Sequence, residues 1–202
     1  MKKTAARFAL LLLPALAGCK SHPLTDYRPL DKAGMWTSGM QDLKKLNVSD
    51  AEVAQLVALK NAGVNDEMCV ALVEAAHARQ HPFASAAAAA RLNAAGYSDE
   101  QILAIARQDQ LDALSGDAVM LRLIGLSEPT LEMILNRRMR GLTTLSSAEI
   151  GRLKNTGLSE KEVVARIQSG MSDAQADAEA AARERARAAS GTGFVRVHGR
   201  RR

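Results

Sequence analysis

Between residues 38 and 170 the chain repeats one pattern of apolar and polar positions. Aligned on Gly63, Gly96, Gly125 and Gly157, it places Leu59, Leu92, Leu121 and Leu153 four residues earlier. Each Gly is followed by an apolar residue (Val64, Tyr97, Leu126, Leu158), and another stands six residues after it (Cys69, Ile102, Leu131, Val163). Between these apolar columns run two polar ones: Asn65, Ser98, Ser127 and Ser159, then Asp66, Asp99, Glu128 and Glu160. The Gly-to-Gly spacings are 33, 29 and 32 residues, within the range of helical-hairpin repeats.

Each column has a local physical role. Gly takes the left-handed backbone that ends a helix, and the apolar residue after it folds back on the last turn. Ser or Asn then caps the next helix through its side-chain oxygen. The acid after it meets the positive end of the new helix. Ser49 with Glu52, Ser98 with Gln101, Ser146 with Glu149 and Ser159 with Glu162 have the spacing of capping boxes. Weaker copies fall between the strong ones: Leu43 to Asp50 with Asn47 in the Gly place, Gly141-Leu142-Thr143, and Gly170-Met171-Ser172-Asp173. The pattern predicts helices near 38–46, 50–62, 66–80, 85–95, 99–110, 116–124, 128–140, 147–156 and 160–169. The run Ala86–Ala90 implies close helix approach.

The flanks read differently. Residues 19–37 contain Pro23, Pro29 and Gly34 without a sustained period, which predicts a tether, partly packed because Trp36 is costly to expose. Residues 171–189 are Ala-rich and charged with almost no large apolar side chain, which predicts a solvated helix that frays. Residues 190–202 read as a disordered basic tail.

Composition agrees with an all-α fold. The chain of 202 residues is 47% apolar but only 3% aromatic, so its core is Leu, Ala, Val, Ile and Met, a mix that favours helix over sheet. The expected architecture is an array of short helical hairpins, either a small solenoid or an orthogonal bundle. The formal charge of +5 changes little about the body. Lys2, Lys3, Arg7, Arg196, Arg200, Arg201 and Arg202 lie near the two ends, and without them the remainder carries −2. Such a body is poorly suited to holding polyphosphate.

Residues 1–18 have a cationic start and an apolar run from Phe8 to about Ala17, the shape of a secretory signal and too short to span a bilayer. The run ends in Leu16-Ala17-Gly18-Cys19, which resembles the lipobox of bacterial lipoproteins. That resemblance implies diacylglyceryl modification of Cys19, cleavage before it, and anchoring in a bilayer through the acyl chains. Lys20 follows the Cys instead of the Asp that holds members of that family at the inner membrane, so the implied location is the outer membrane, facing the periplasm. With Cys19 acylated, Cys69 has no intramolecular disulfide partner, and its column makes it a small core hydrophobe.

Leu145–Ile167 is similar to the opening of the DNA-binding domain in LuxR-like regulators, where a helix ends in Gly, an apolar residue and Ser before a second helix. The family's base-reading helix comes next and is cationic. Here that place holds Asp173, Asp177 and Glu179, which phosphates repel, so no nucleic acid is expected. Glu74, His77 and His81 fall at i, i+3 and i+7, a spacing that can ligate a metal, but Pro82 ends the helix there and the expected reading is a solvated helix end. No metal, cofactor or catalytic residue is assigned. The sequence predicts a non-enzymatic, membrane-anchored lipoprotein that presents a helical interaction surface to envelope proteins or cell-wall polymer. The alternative, a cell-wall-directed hydrolase or its activator, requires a cleft with convergent Glu, Asp or His. The basic tail is either without a role or a contact for anionic surfaces.

Overall fold

The structure, a computed structural model, describes residues 24–191. Within them the fold is all-α, with no strand. The helices are α1 (Arg28–Lys32), α2 (Thr37–Lys45), α3 (Asp50–Asn61), α4 (Asp66–His77), α5 (Ala86–Ala94), α6 (Asp99–Arg107), α7 (Leu111–Leu123), α8 (Glu128–Met139), α9 (Ser147–Asn155), α10 (Glu160–Gln168) and α11 (Asp173–Gly191). Most match the expected segments within a few residues. Two end early: α4 stops at His77 and α6 at Arg107. There Gln80 (φ 64) and Asp109 (φ 57) take the left-handed backbone that the sequence elsewhere marks with Gly or Asn.

The same turn follows each helix from α1 to α10. Its left-handed residue is Gly34, Asn47, Gly63, Gln80, Gly96, Asp109, Gly125, Gly141, Gly157 or Gly170. At Gly63 (φ 79) the Gly N–H donates to the Lys60 carbonyl at 3.0 Å, and the Val64 N–H reaches back to Leu59 at 3.1 Å. These bonds satisfy two of the carbonyls a helix end leaves open. At Gly157 (φ 89) the left-handed backbone favours Gly, and a Cβ there would also displace the tip of the Arg187 side chain.

Three of the four expected capping boxes form in full, at Ser49 with Glu52, Ser98 with Gln101, and Ser159 with Glu162. Ser172 with Gln175 makes a further one at the start of α11. The remaining expected box is half-formed. Ser146 accepts the Glu149 N–H at 3.3 Å, but the Glu149 carboxylate turns to Arg152, 3.6 Å away.

Packing follows an alternate-helix rule. α1, α3, α5, α7, α9 and α11 form one continuous row, each against the next. α2, α4 and α6 form a second row, while α8 packs on α7 and α10 on α9. The result is a two-layer stack of hairpins, the solenoid form of the expected array. Its core contains the predicted columns: Leu59, Leu92, Leu121 and Leu153 are fully buried, as are Cys69, Leu131 and Val163. Ala86, Ala88 and Ala89 are buried where α5 sits between α3 and α7, which is the close approach the alanine run implied.

Both flanks need correction. The tether expected over 19–37 is shorter, because α1 packs on α3 and buries Leu30 and Met35. Trp36, expected to pack, is 74% exposed. The Ala-rich segment is a helix of 19 residues whose first half packs, while residues 184–190 are solvated as expected. Ala176 and Ala180, one turn apart, are fully buried as α11 lies along α9. Small side chains allow the backbones to approach, and polar groups complete the join. Asp173 accepts the Ser146 N–H at 2.9 Å, Asp177 pairs with Arg152, and Arg187 donates to the Asn155 carbonyl at 3.0 Å.

Candidate functional site

The predicted lipidation site, Cys19 with its lipobox, and the basic tail beyond residue 191 lie outside the described residues. The opening of the helix-turn-helix resemblance forms as α9, the Gly157 turn and α10. The helix after it, α11, is packed on α9 through its acidic start. Cys69 is fully buried, and burial pushes its thiol up to about 12, which leaves it an inert core residue. The spacing of Glu74, His77 and His81 does not bring them together. His77 faces Glu52 on α3, His81 faces Asp109 at 3.4 Å, and Glu74 is exposed. No group of three or more metal-ligating side chains is assembled among the described residues.

The Glu52 carboxylate organises the first sharp departure from the repeat. It is 3% exposed, yet all four of its bonds have donors. Oε2 accepts from the Ser49 N–H (2.8 Å) and hydroxyl (2.9 Å). Oε1 accepts from the Phe83 N–H at 2.9 Å and lies 2.7 Å from His77 Nε2. Burial pushes the carboxyl up, but the Ser49 and Phe83 N–H groups and His77 together outweigh it and hold Glu52 below its ordinary value. Glu52 is therefore ionised at neutral pH, and His77 must present its Nε2 proton to it. The sequence identified Glu52 as a capping residue only. Its second role, holding the loop between α4 and α5 at Phe83, depends on a contact 31 residues away that no local spacing announces.

The acid column also does more than meet a helix dipole. Asp50, Asp66, Asp99, Glu128, Glu160 and Asp173 each open a helix, and each reaches the start of the helix two earlier. Asp50 accepts from the Asp26 N–H (3.0 Å), Asp66 from the Trp36 N–H (2.7 Å), and Asp99 from Asn65 Nδ2 (2.8 Å). Glu128 accepts from Gln101 Nε2 (3.2 Å), Glu160 from the Ser127 N–H (3.2 Å), and Asp173 from the Ser146 N–H. One carboxylate per joint thus sets the register between successive layers. Glu160 is held below the ordinary carboxylate range by the Ser127 and Thr130 hydroxyls.

Two of the concavities on this scaffold bring together polar and apolar groups of functional interest. A cavity of about 310 Å³ sits at the α4–α5 joint, lined by Phe83, His81, Ser85, Asp109 and Asp112. In it His81 faces Asp109, and the Ser85 hydroxyl donates to Asp112 at 2.6 Å, so the hydroxyl is engaged by a carboxylate rather than by the imidazole. A groove of about 640 Å³ runs between α5 and α7, floored by Ala94, Ala95, Gly116 and Val119. Leu123, 75% exposed, stands on its edge, and Met120 of the same helix is half exposed. Arg91 and Arg122 border it. Arg91 donates to Ser115 at 3.1 Å, while Arg122 pairs with Glu128 and lies 4.5 Å from the centre of the Tyr97 ring. Both arginines are thereby fixed in place.

No described helix is long and apolar enough to cross a membrane. Compared with known proteins, the chain matches no family model, no curated protein and no solved structure.

Proposed function

We propose that the chain is a non-enzymatic lipoprotein of the bacterial envelope, anchored through Cys19, whose helical stack presents an interaction surface to other envelope proteins or to cell-wall polymer. The observation that carries this reading is the α5–α7 groove. It joins an apolar floor, an exposed Leu123 and two positioned arginines on a rigid scaffold. Exposed apolar side chains rimmed by fixed polar groups are the usual anatomy of a binding surface. The anchor is supported by the lipobox-like Leu16-Ala17-Gly18-Cys19.

A crosslinking pull-down from membranes tests both parts. Leu123→Glu keeps the membrane fractionation and loses the crosslinked partner. Cys19→Ala leaves the membrane fraction. An unchanged partner with Leu123→Glu removes the groove from the reading, and a Cys19→Ala chain that still fractionates with the outer membrane removes the anchor. The second reading, a cell-wall hydrolase or its activator, is favoured by the cavity holding His81, Asp109 and Asp112. It requires the purified chain to clear a peptidoglycan suspension and His81→Ala to lose that activity.

A further inference from the structure

The α1–α2 pair is the first layer of the stack. α1 packs on α3 and α2 on α4, and no described helix covers their opposite faces. That end carries two of the three most exposed large apolar side chains among the described residues: Leu24, 97% exposed, and Trp36, 74% exposed. They bracket α1, with Leu24 before its start and Trp36 after its end. Cations lie among them. Arg28 and Lys45 have side chains 85% and 75% exposed, and Lys32 and Lys44 are exposed as well. Leu24, Tyr27, Arg28 and Lys44 line one open depression of about 1050 Å³, with the Lys44 ammonium 5.4 Å from the Tyr27 ring centre. Asp26 pairs with Arg28 and Asp42 with Lys45, and Asp50 accepts the Asp26 N–H, which leaves Lys32 and Lys44 against the exposed Asp31.

Indole rings and long cationic side chains share one preferred environment, the headgroup level of a bilayer, where the apolar part is buried and the polar tip stays wet. The chain length points to the same occupant. Leu24 lies five residues after Cys19, a reach of at most ~18 Å when fully extended. A lipid on Cys19 therefore keeps the α1–α2 end close to the membrane. We infer that the α1–α2 end, through Leu24, Trp36, Arg28, Lys32 and Lys44, is a docking surface for the lipid headgroup region, so that the stack stands on the bilayer by its first layer. The inference rests on the anchor proposed above.

Trp36 is the chain's single tryptophan and reports on its own contact. The mature lipidated protein is reconstituted into vesicles of phosphatidylethanolamine and phosphatidylglycerol with bromine-labelled acyl chains. Flotation reads the anchor, and quenching of Trp36 emission reads the surface. The expected result is a floating protein with blue-shifted, quenched emission. Leu24→Glu, at a fully exposed position that cannot threaten folding, still floats but loses most of the quenching. A protein that floats with unquenched Trp36 overturns the docking surface and leaves the anchor standing. A protein that fails to float overturns the anchor, and the docking surface with it. Shielding of Trp36 that follows protein concentration without vesicles assigns the face to a second copy of the chain and overturns the lipid assignment.

Discussion

The odd-numbered helices touch their neighbours along the whole stack from α1 to α11, whereas the even-numbered ones do so closely only from α2 to α6. The first row is joined by apolar area, densest where alanines let α5 approach α3 and α7. The second row is joined at every step by a carboxylate: Asp66, Asp99, Glu128 and Glu160 link α2 to α4, α4 to α6, α6 to α8 and α8 to α10. Apolar contact is strong but tolerates sliding, while a hydrogen bond between fixed groups has one geometry. Carboxylates therefore set the register along the whole even row and at the two ends of the odd row, at Asp50 and Asp173, while the middle of the odd row is held chiefly by apolar contact. Substitutions in the two rows should differ accordingly, in size and in kind.

The largest effect belongs to the packed row. Leu121→Ala removes a fully buried side chain from the last turn of α7 and should cost about 2–5 kcal/mol, read as a lower urea midpoint with an unchanged slope. A loss under ~1 kcal/mol would mean that the odd row does not carry the stack.

Next is Glu52→Ala, at the one buried carboxylate among the described residues. It strands the Phe83 N–H and His77 against a protein interior, at a cost of about 2–3 kcal/mol. The same group sets an acid limit. A carboxyl whose folded value lies below its unfolded one stabilises the fold above the unfolded value, about 4.3, and loses that contribution as pH falls through the folded value. Glu52 and Glu160 are both shifted down, so stability should fall as pH drops below ~4.3. Glu52→Ala should flatten that fall, and an acid profile unchanged by the substitution contradicts the assignment.

In the register row, Glu160→Ala should cost less, about 1 kcal/mol, because exposed Ser127 can turn to water and buried Thr130 keeps the Ser127 hydroxyl as a partner at 3.2 Å. The informative readout is local. Amide exchange should accelerate at the start of α8 and leave α7 unchanged. Equal acceleration in both rows would erase the distinction between them.

The repeat itself was legible because it is built from local chemistry. Gly63, Ser98 and Glu162 act on residues within a turn of themselves, so spacing alone identified them. What was not legible depends on contacts across layers. Nothing near Asp66 or Glu160 in sequence distinguishes an acid that meets a helix dipole from one that also holds the previous layer's cap. The α11 face was missed for a related reason. A core position is normally marked by a large apolar residue, and Ala176 and Ala180 bury almost no area yet decide where the helix lies. Of the candidate site, the lipobox-like Leu16-Ala17-Gly18-Cys19 stands in the sequence alone, while the α5–α7 groove is a product of stacking and has no linear signature.

The smallest expected change tests the turns that both rows share, and its sign is positive. Gln80 occupies the left-handed place after α4, where a residue with a Cβ carries a penalty of about 1–2 kcal/mol. Gln80→Gly relieves that penalty but loosens the unfolded chain by ~0.5–1 kcal/mol, so the net gain should be about 0.5 kcal/mol. Asp109→Gly makes the same exchange after α6, but it also deletes the carboxylate facing His81, so it should gain less. Paired thermal melts of the two variants separate backbone relief from the side-chain contact. If Gln80→Gly destabilises, then the α4–α5 joint holds its left-handed residue through the Gln80 side chain, and the turn there is a different device from the one at Gly63.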